Sequence, residues 1–207
     1  MEITHEVFNQ PEPLVNYNLF EGNRALQDAL QFNAPGLDTT ALRQLGATLG
    51  RAEMQAHARL ANIHKPELHT HDRFGRRIDQ VEFHSSYHAL MALAVGAGLH
   101  GAPRAISSGG DDVRRAGPSQ ASTAPSGGSA VCEATSVGAH VERAAGFMLF
   151  TELEPSSLCP ISMSYAVTPA LRGNPAIHAD WAPGLTSRLY DPALKIWRDK
   201  PGLTMGM

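Results

Sequence analysis

Cysteine is scarce in this chain: only Cys132 and Cys159 occur in 207 residues. One lies in a Ser/Gly-rich stretch and the other in an apolar one. Neither a disulfide framework nor a zinc-ligand spacing results, and a reducing, cytoplasmic setting is the expectation. An excess of one charge is also missing. Lys and Arg number 17 against 20 Asp and Glu, giving a formal net charge of -3 and a pI near 6.3. The chain as a whole therefore has no electrostatic drive toward nucleic acid or an anionic membrane. The longest apolar run, Ala89 to Leu99, is too short to cross a bilayer. The opening MEITHEVFNQPEP has acids and prolines where a secretory leader needs a basic start and an apolar run. Also absent are a Gly-x-Ser-x-Gly elbow, a phosphate-cradling loop and a dinucleotide-binding fingerprint.

What is present is enough apolar material for a packed domain, with 43% of residues hydrophobic and 18% charged. Residues 1–18, with Pro11 and Pro13, read as an extended arm anchored by Val7, Phe8, Leu14 and Val15. A short helix is expected over Leu19 to Phe32, stopping before Pro35-Gly36. The clearest periodicity follows. Leu42, Leu45, Leu49, Ala52, Ala56, Leu60 and Ile63 form one stripe, which predicts a single helix of roughly 24 residues with Asp38, Thr39 and Thr40 as candidate caps. Beyond Pro66, two short extended segments flank Asp72 to Gly75, a hairpin in which Gly75 takes a positive φ. Another helix is expected from Ser85, capped by Ser85 or Ser86, to Leu99. Residues 101–136 have the Gly, Ser, Ala and Pro texture of a long flexible loop, and helix resumes at Val137 or Gly138.

The stretch SLCPISMSYAVTPAL, Ser157 to Leu171, has no charge and no consistently polar face, which predicts a buried helix. Pro160 suits its first turn and Thr168-Pro169 its end or a kink. Asn174-Pro175 reads as a cap followed by Pro at the first position of a further helix. Apolar neighbours around Cys159 predict an inert thiol. Among ten histidines, His64, His69 and His71 cluster near Asp72, and His84 and His88 are four apart, yet no HExxH motif or third ligand accompanies them. Arg73, Arg76 and Arg77 make a small basic turn whose simplest role is solvation of a loop tip.

Several long segments carry a resemblance. THEVFNQPEPLVNYNLF, RLANIHKPELHTHDRFGRRIDQVEFH, HVERAAGFMLF, SLCPISMSYAVTPAL and GLTMGM resemble, in this order, the N-terminal part of the family of the alkylation-response flavoprotein AidB, whose members are acyl-CoA dehydrogenase-like. The resemblance covers nearly the whole chain except about 102–137. It implies a mainly α fold, the helical N-terminal domain of the acyl-CoA dehydrogenase architecture, over residues 19–200 after the arm at 1–18. Residues 201–207 would begin the β-domain that follows. It also implies FAD as cofactor, an acyl-CoA substrate and a homotetramer. Met205, Gly206 and Met207 match the start of the run that contacts the flavin in this family. The rest of that run, the catalytic glutamate and the basic surface that engages DNA have no counterpart in these 207 residues. A rival reading is a non-enzymatic helical module whose arm and hairpin bind a protein or nucleic-acid partner.

Overall fold

In the computed structural model the described residues are 6, 8–104 and 128–206, with side chains of 128–137 outside the description. Asparagine capping divides the first helical stretch. Asn18 Oδ1 accepts from the Phe20 and Glu21 amides at 3.0 and 3.3 Å and starts α1, Leu19–Gly22. Asn23 Oδ1 accepts from the Leu26 amide at 2.9 Å and starts α2, Arg24–Asn33. The single helix expected over Leu19 to Phe32 is thus two, because a side chain that satisfies an orphan amide makes a fresh start inexpensive.

A larger correction concerns the long stripe. Two helices stand there, α3 (Thr40–Leu49) and α4 (Ala52–Ile63). The arm causes the break. Asn16, in the left-handed region at φ 57°, donates its amide to the Gly50 carbonyl at 2.6 Å and accepts from the Ala52 amide through Oδ1 at 3.1 Å. Gln55 Nε2 donates to the Leu14 carbonyl at 2.7 Å. The interruption resets the helical phase, so α4 buries Ala58 while Ala52 and Ala56 are exposed. Polar backbone contacts hold the arm. Of its expected apolar anchors, Phe8 and Leu14 are 88% and 70% exposed, Val15 is half-buried, and Val7 lies outside the described residues.

Strands β1 (Glu67–His71) and β2 (Arg77–Glu82) form the expected antiparallel hairpin, pairing Glu67 with Glu82, Leu68 with Val81 and His71 with Arg77. Asp72 Oδ1 accepts from the Phe74 and Arg76 amides at 2.8 and 2.9 Å, and Gly75 sits at φ 79°. Among the described residues this is the only sheet. Helix α5 (Ser85–Gly96) is capped by His84, whose Nδ1 accepts from the Ser86 amide at 3.2 Å, rather than by a serine. It stops three residues before Leu99 because Gly98 turns the chain at φ 76°.

Helix α6 spans Gly128–Leu153, beginning nine residues before Val137, so residues 128–136 of the loop expected over 101–136 are helical instead, and residues 105–127 lie outside the described residues. Helix α7 is Leu158–Ala170, continued by a 3-10 turn at Leu171–Gly173, and α8 is Pro175–Thr186 with Asn174 as its cap and Pro175 at its first position. One core joins Leu19 and Phe20 of α1, Leu26 and Leu30 of α2, Leu42, Leu45 and Leu49 of α3, Leu90 and Met91 of α5, Leu149 and Phe150 of α6, and Leu158 and Ile161 of α7. Among the described residues no helix is long and apolar enough to cross a membrane.

Candidate functional site

Helix α7 is half-buried rather than enclosed. Leu158, Ile161, Ser164 and Thr168 are buried along one face, whereas Cys159 and Ala166 face outward. Cys159 is therefore exposed, and the interior placement expected for it is incorrect. The polar members of the buried face satisfy themselves: Ser164 Oγ donates to the Pro160 carbonyl at 2.7 Å and Thr168 Oγ1 to the Ser164 carbonyl at 2.8 Å.

The entry to α7 is held by a buried carboxylate. Glu154 Oε2 accepts from the Ser157 amide at 2.7 Å, and Oε1 accepts from the Ser156 amide at 2.9 Å, from Asn62 Nδ2 at 3.2 Å and from the Ser156 hydroxyl. Burial works against ionisation here, but the hydrogen bonds from Ser156 and Ser157 outweigh it and hold this carboxyl below its usual range.

On the same helix Tyr165 meets a basic cluster. Its hydroxyl lies 2.9 Å from His140 Nδ1, and the Arg104 and Arg143 guanidinium carbons each stand 4.1 Å from its ring centre. Arg143 Nε donates to the Leu99 carbonyl at 2.7 Å. His100, fully buried, lies next to Leu99 and sets its Nε2 2.8 Å from the Ser187 carbonyl, so Nε2 carries the proton. Burial dominates its titration: with Arg188 and Arg143 nearby, it outweighs the Ser187 carbonyl and lowers the His100 pKa. The unfolded chain then takes up a proton more readily. This contribution to stability is complete above about pH 6.5 and is lost as pH falls below that value. We expect the melting temperature to drop between about pH 8 and about pH 5, with a shallower drop in His100→Gln, measured by thermal denaturation across that range.

The last described residues run back over α7 and α8. The Leu203 amide donates to the Gly184 carbonyl at 2.9 Å, and the Met205 amide donates to Ser164 Oγ at 2.8 Å. Gly202 lies against Leu189, where an added Cβ would stand 1.8 Å from the carbonyl oxygen. Of the three site residues expected from sequence, Met205 is half-buried and tethered, Gly206 is exposed, and Met207 lies outside the described residues. A Cβ on Gly206 would meet nothing within 4 Å. The backbone is thus tethered at Met205 and open at Gly206, which leaves room for a flat group beside it. Sequence reasoning passed over Ser164; its signal was a hydroxyl in step with Leu158 and Ile161 on an uncharged helix.

The histidines find separate roles. His64 stacks on His84 at 4.4 Å, His69 pairs with Glu82 at 2.9 Å, His71 Nδ1 lies 3.1 Å from the Thr70 hydroxyl, and His88 Nδ1 lies 2.8 Å from the Tyr190 hydroxyl. Among the described residues no three His, Cys, Asp or Glu side chains converge to hold a metal. At the hairpin tip Arg73 and Arg76 stand 4.8 and 5.6 Å from the Phe74 ring centre, and Arg77 pairs with Asp79 at 2.7 Å.

Residues 9–136 and 120–192 match the sequence profile of the Adaptive response protein AidB N-terminal domain. The chain belongs to this family. AidB of Escherichia coli strain K12, which carries the name of an acyl-CoA dehydrogenase, is 38% identical over 205 residues, covering 99% of this chain and 33% of the relative. The chain thus spans about one third of the length of the curated relative that it matches. Solved structures share the fold of this AidB-type N-terminal domain. Bd2924 in its apo form superposes with a TM-score of 0.65 at 23% identity, over 88% of this chain and 32% of its own. Caenorhabditis elegans ACDH-11 in complex with C11-CoA superposes at 0.63 and 17% identity, over 91% of this chain and 28% of its own. The mainly α fold with one hairpin is the one expected from sequence.

Proposed function

We propose that this domain is the helical layer of an FAD-dependent, acyl-CoA dehydrogenase-like protein of the AidB type, supporting the flavin and the acyl pocket from one side. The single observation that carries the reading is the tether of Met205 to α7, which brings the segment matching the flavin-contacting run onto this uncharged helix. Met205 and Gly206, with Met207 next in sequence, would hold the flavin edge. When bound, FAD would supply the hydride acceptor for oxidation of an acyl-CoA, with a carboxylate as base for the α-proton. The residues of this chain orient and enclose; the carboxylate lies outside these 207 residues. In the same reading the intact protein is a cytoplasmic homotetramer, and DNA contact belongs to regions beyond this domain.

Two measurements test this. The chain by itself is expected to retain little or no flavin after purification, because only one edge of the site is built from its residues; a stoichiometric flavin absorbance spectrum contradicts that. The chain joined to the remaining two thirds of the Escherichia coli relative is expected to take up flavin and to bleach on addition of an acyl-CoA. A folded fusion without flavin overturns the reading.

A further inference from the structure

We propose that Ser164 is the positioning residue that sets the register in which the chain leaves the helical layer toward the flavin. The proposal rests on the functional reading just given. It begins with the inventory of one hydroxyl, which has a single donor and two lone pairs. The donor is committed to the Pro160 carbonyl at 2.7 Å. What Ser164 presents to the exit segment is therefore an acceptor only, and an acceptor selects a backbone N–H. The Met205 amide fills that place at 2.8 Å, and Ser164 is fully buried.

Two residues earlier the Leu203 amide is bonded to Gly184 on α8 at 2.9 Å. Amides at 203 and 205 thus both turn inward, a spacing of two that leaves the amides of Thr204 and Gly206 to the other side. Steric contacts alone fix only the first half of this segment. Gly202 is closed against Leu189, and the Leu203 side chain sits where a Cβ on Gly184 would lie, 2.7 Å away. Beyond Leu203 the chain becomes progressively exposed. Among the described residues, Ser164 supplies the hydrogen bond that ties this outer half to α7. A slip of one residue would move Gly206 by about 3.3 Å along the layer and turn its amide to the opposite side. Thr168, the next hydroxyl on this face, donates to the Ser164 carbonyl and so does not compete for the Met205 amide.

The test compares Ser164→Ala and Ser164→Thr by site-resolved amide hydrogen exchange in the 207-residue chain. The Met205 amide is expected to exchange about tenfold faster in Ser164→Ala, the size of effect for one lost hydrogen bond, with Leu203, Leu149 and Phe150 unchanged and protection restored in Ser164→Thr. Unchanged Met205 exchange, or equal acceleration throughout the core, overturns the proposal. In the chain joined to the C-terminal two thirds of the Escherichia coli relative, flavin release is expected to be several-fold faster in Ser164→Ala and near the parent rate in Ser164→Thr. Loss of Met205 protection with no change in flavin release overturns the positioning role alone. If the parent fusion takes up no flavin, the functional reading fails and the flavin part of this proposal with it, while the exchange data still decide the register.

Discussion

Gly50→Ala is expected to destabilise the chain by about 3 kcal/mol or more, at the upper end of what forcing an atom into filled space costs. An added Cβ would stand 1.6 Å from the Tyr17 carbonyl oxygen and 2.8 Å from its carbon. Those are backbone atoms of the arm and cannot rotate aside. Relief requires lifting Asn16 and Tyr17 away, which breaks the Asn16 to Gly50 hydrogen bond and removes the acceptor of the Ala52 amide. Gly46→Ala is expected to behave similarly, since its Cβ would meet Asn18 Oδ1 at 2.5 Å and the Phe20 amide nitrogen at 2.6 Å. Gly173→Ala is the control: nothing lies within 4 Å of its added Cβ, and its φ is not in the left-handed region. Urea unfolding of the three variants decides the matter. A Gly50→Ala midpoint equal to that of Gly173→Ala would show that the arm is not seated on α3.

The second large effect is expected on removing the Glu154 carboxylate. Glu154→Ala strands the buried Ser157 amide at the entry to α7 and removes one acceptor from the exposed Ser156 amide and hydroxyl and from Asn62 Nδ2, which keeps the Ala58 carbonyl. The expected cost is about 2 kcal/mol, that of one buried amide left unpaired together with the loss of the charge-assisted hydrogen bonds around it. The effect also has a pH signature. The folded state holds this carboxyl in its ionised form more firmly than the unfolded chain does. The contribution is therefore complete above the unfolded value of about 4.3 and disappears as pH falls through the lower folded value. Glu154→Gln, which cannot ionise, is expected to show a flatter acid limb in thermal melts. An acid limb identical to that of the parent would remove Glu154 from the account.

These two positions also show where the sequence was readable and where it was not. Local chemistry was legible: Asn174-Pro175 starts α8, Asp72 and Gly75 make the hairpin turn, and Pro160 sits within the first turn of α7. Each depends on residues within a few positions of one another. The break between α3 and α4 was not legible, because its cause lies at Asn16, 36 residues before the Ala52 amide it receives. The uninterrupted 3-4 spacing across Gly50 continued to indicate one helix, and only a contact from far along the chain overrides it. The two-faced character of α7 was hidden for a different reason. Ser164 and Thr168 are polar letters that bury themselves by bonding to carbonyls one turn back, while Cys159 and Ala166 are small apolar letters left outside. Of the candidate site, the resemblance pointed to Met205, Gly206 and Met207; Ser164, which accepts from the Met205 amide, had only its step with Leu158 and Ile161 to mark it, and its partner 41 residues on was reachable only through the fold.

The tether between α7 and the exit segment joins residues 41 positions apart, and Glu154 joins α7 to Asn62, 92 positions earlier. During synthesis, when the N-terminal part of a chain emerges first, these two attachments become available at different times. The earlier one can dock α7 onto α4 as soon as α7 has left the ribosome. The later one must wait until Met205 follows, and until then the Ser164 lone pairs have no partner from the exit segment. The order of these residues along the chain thus makes the contact of α7 with α4 available before the one that fixes the exit segment.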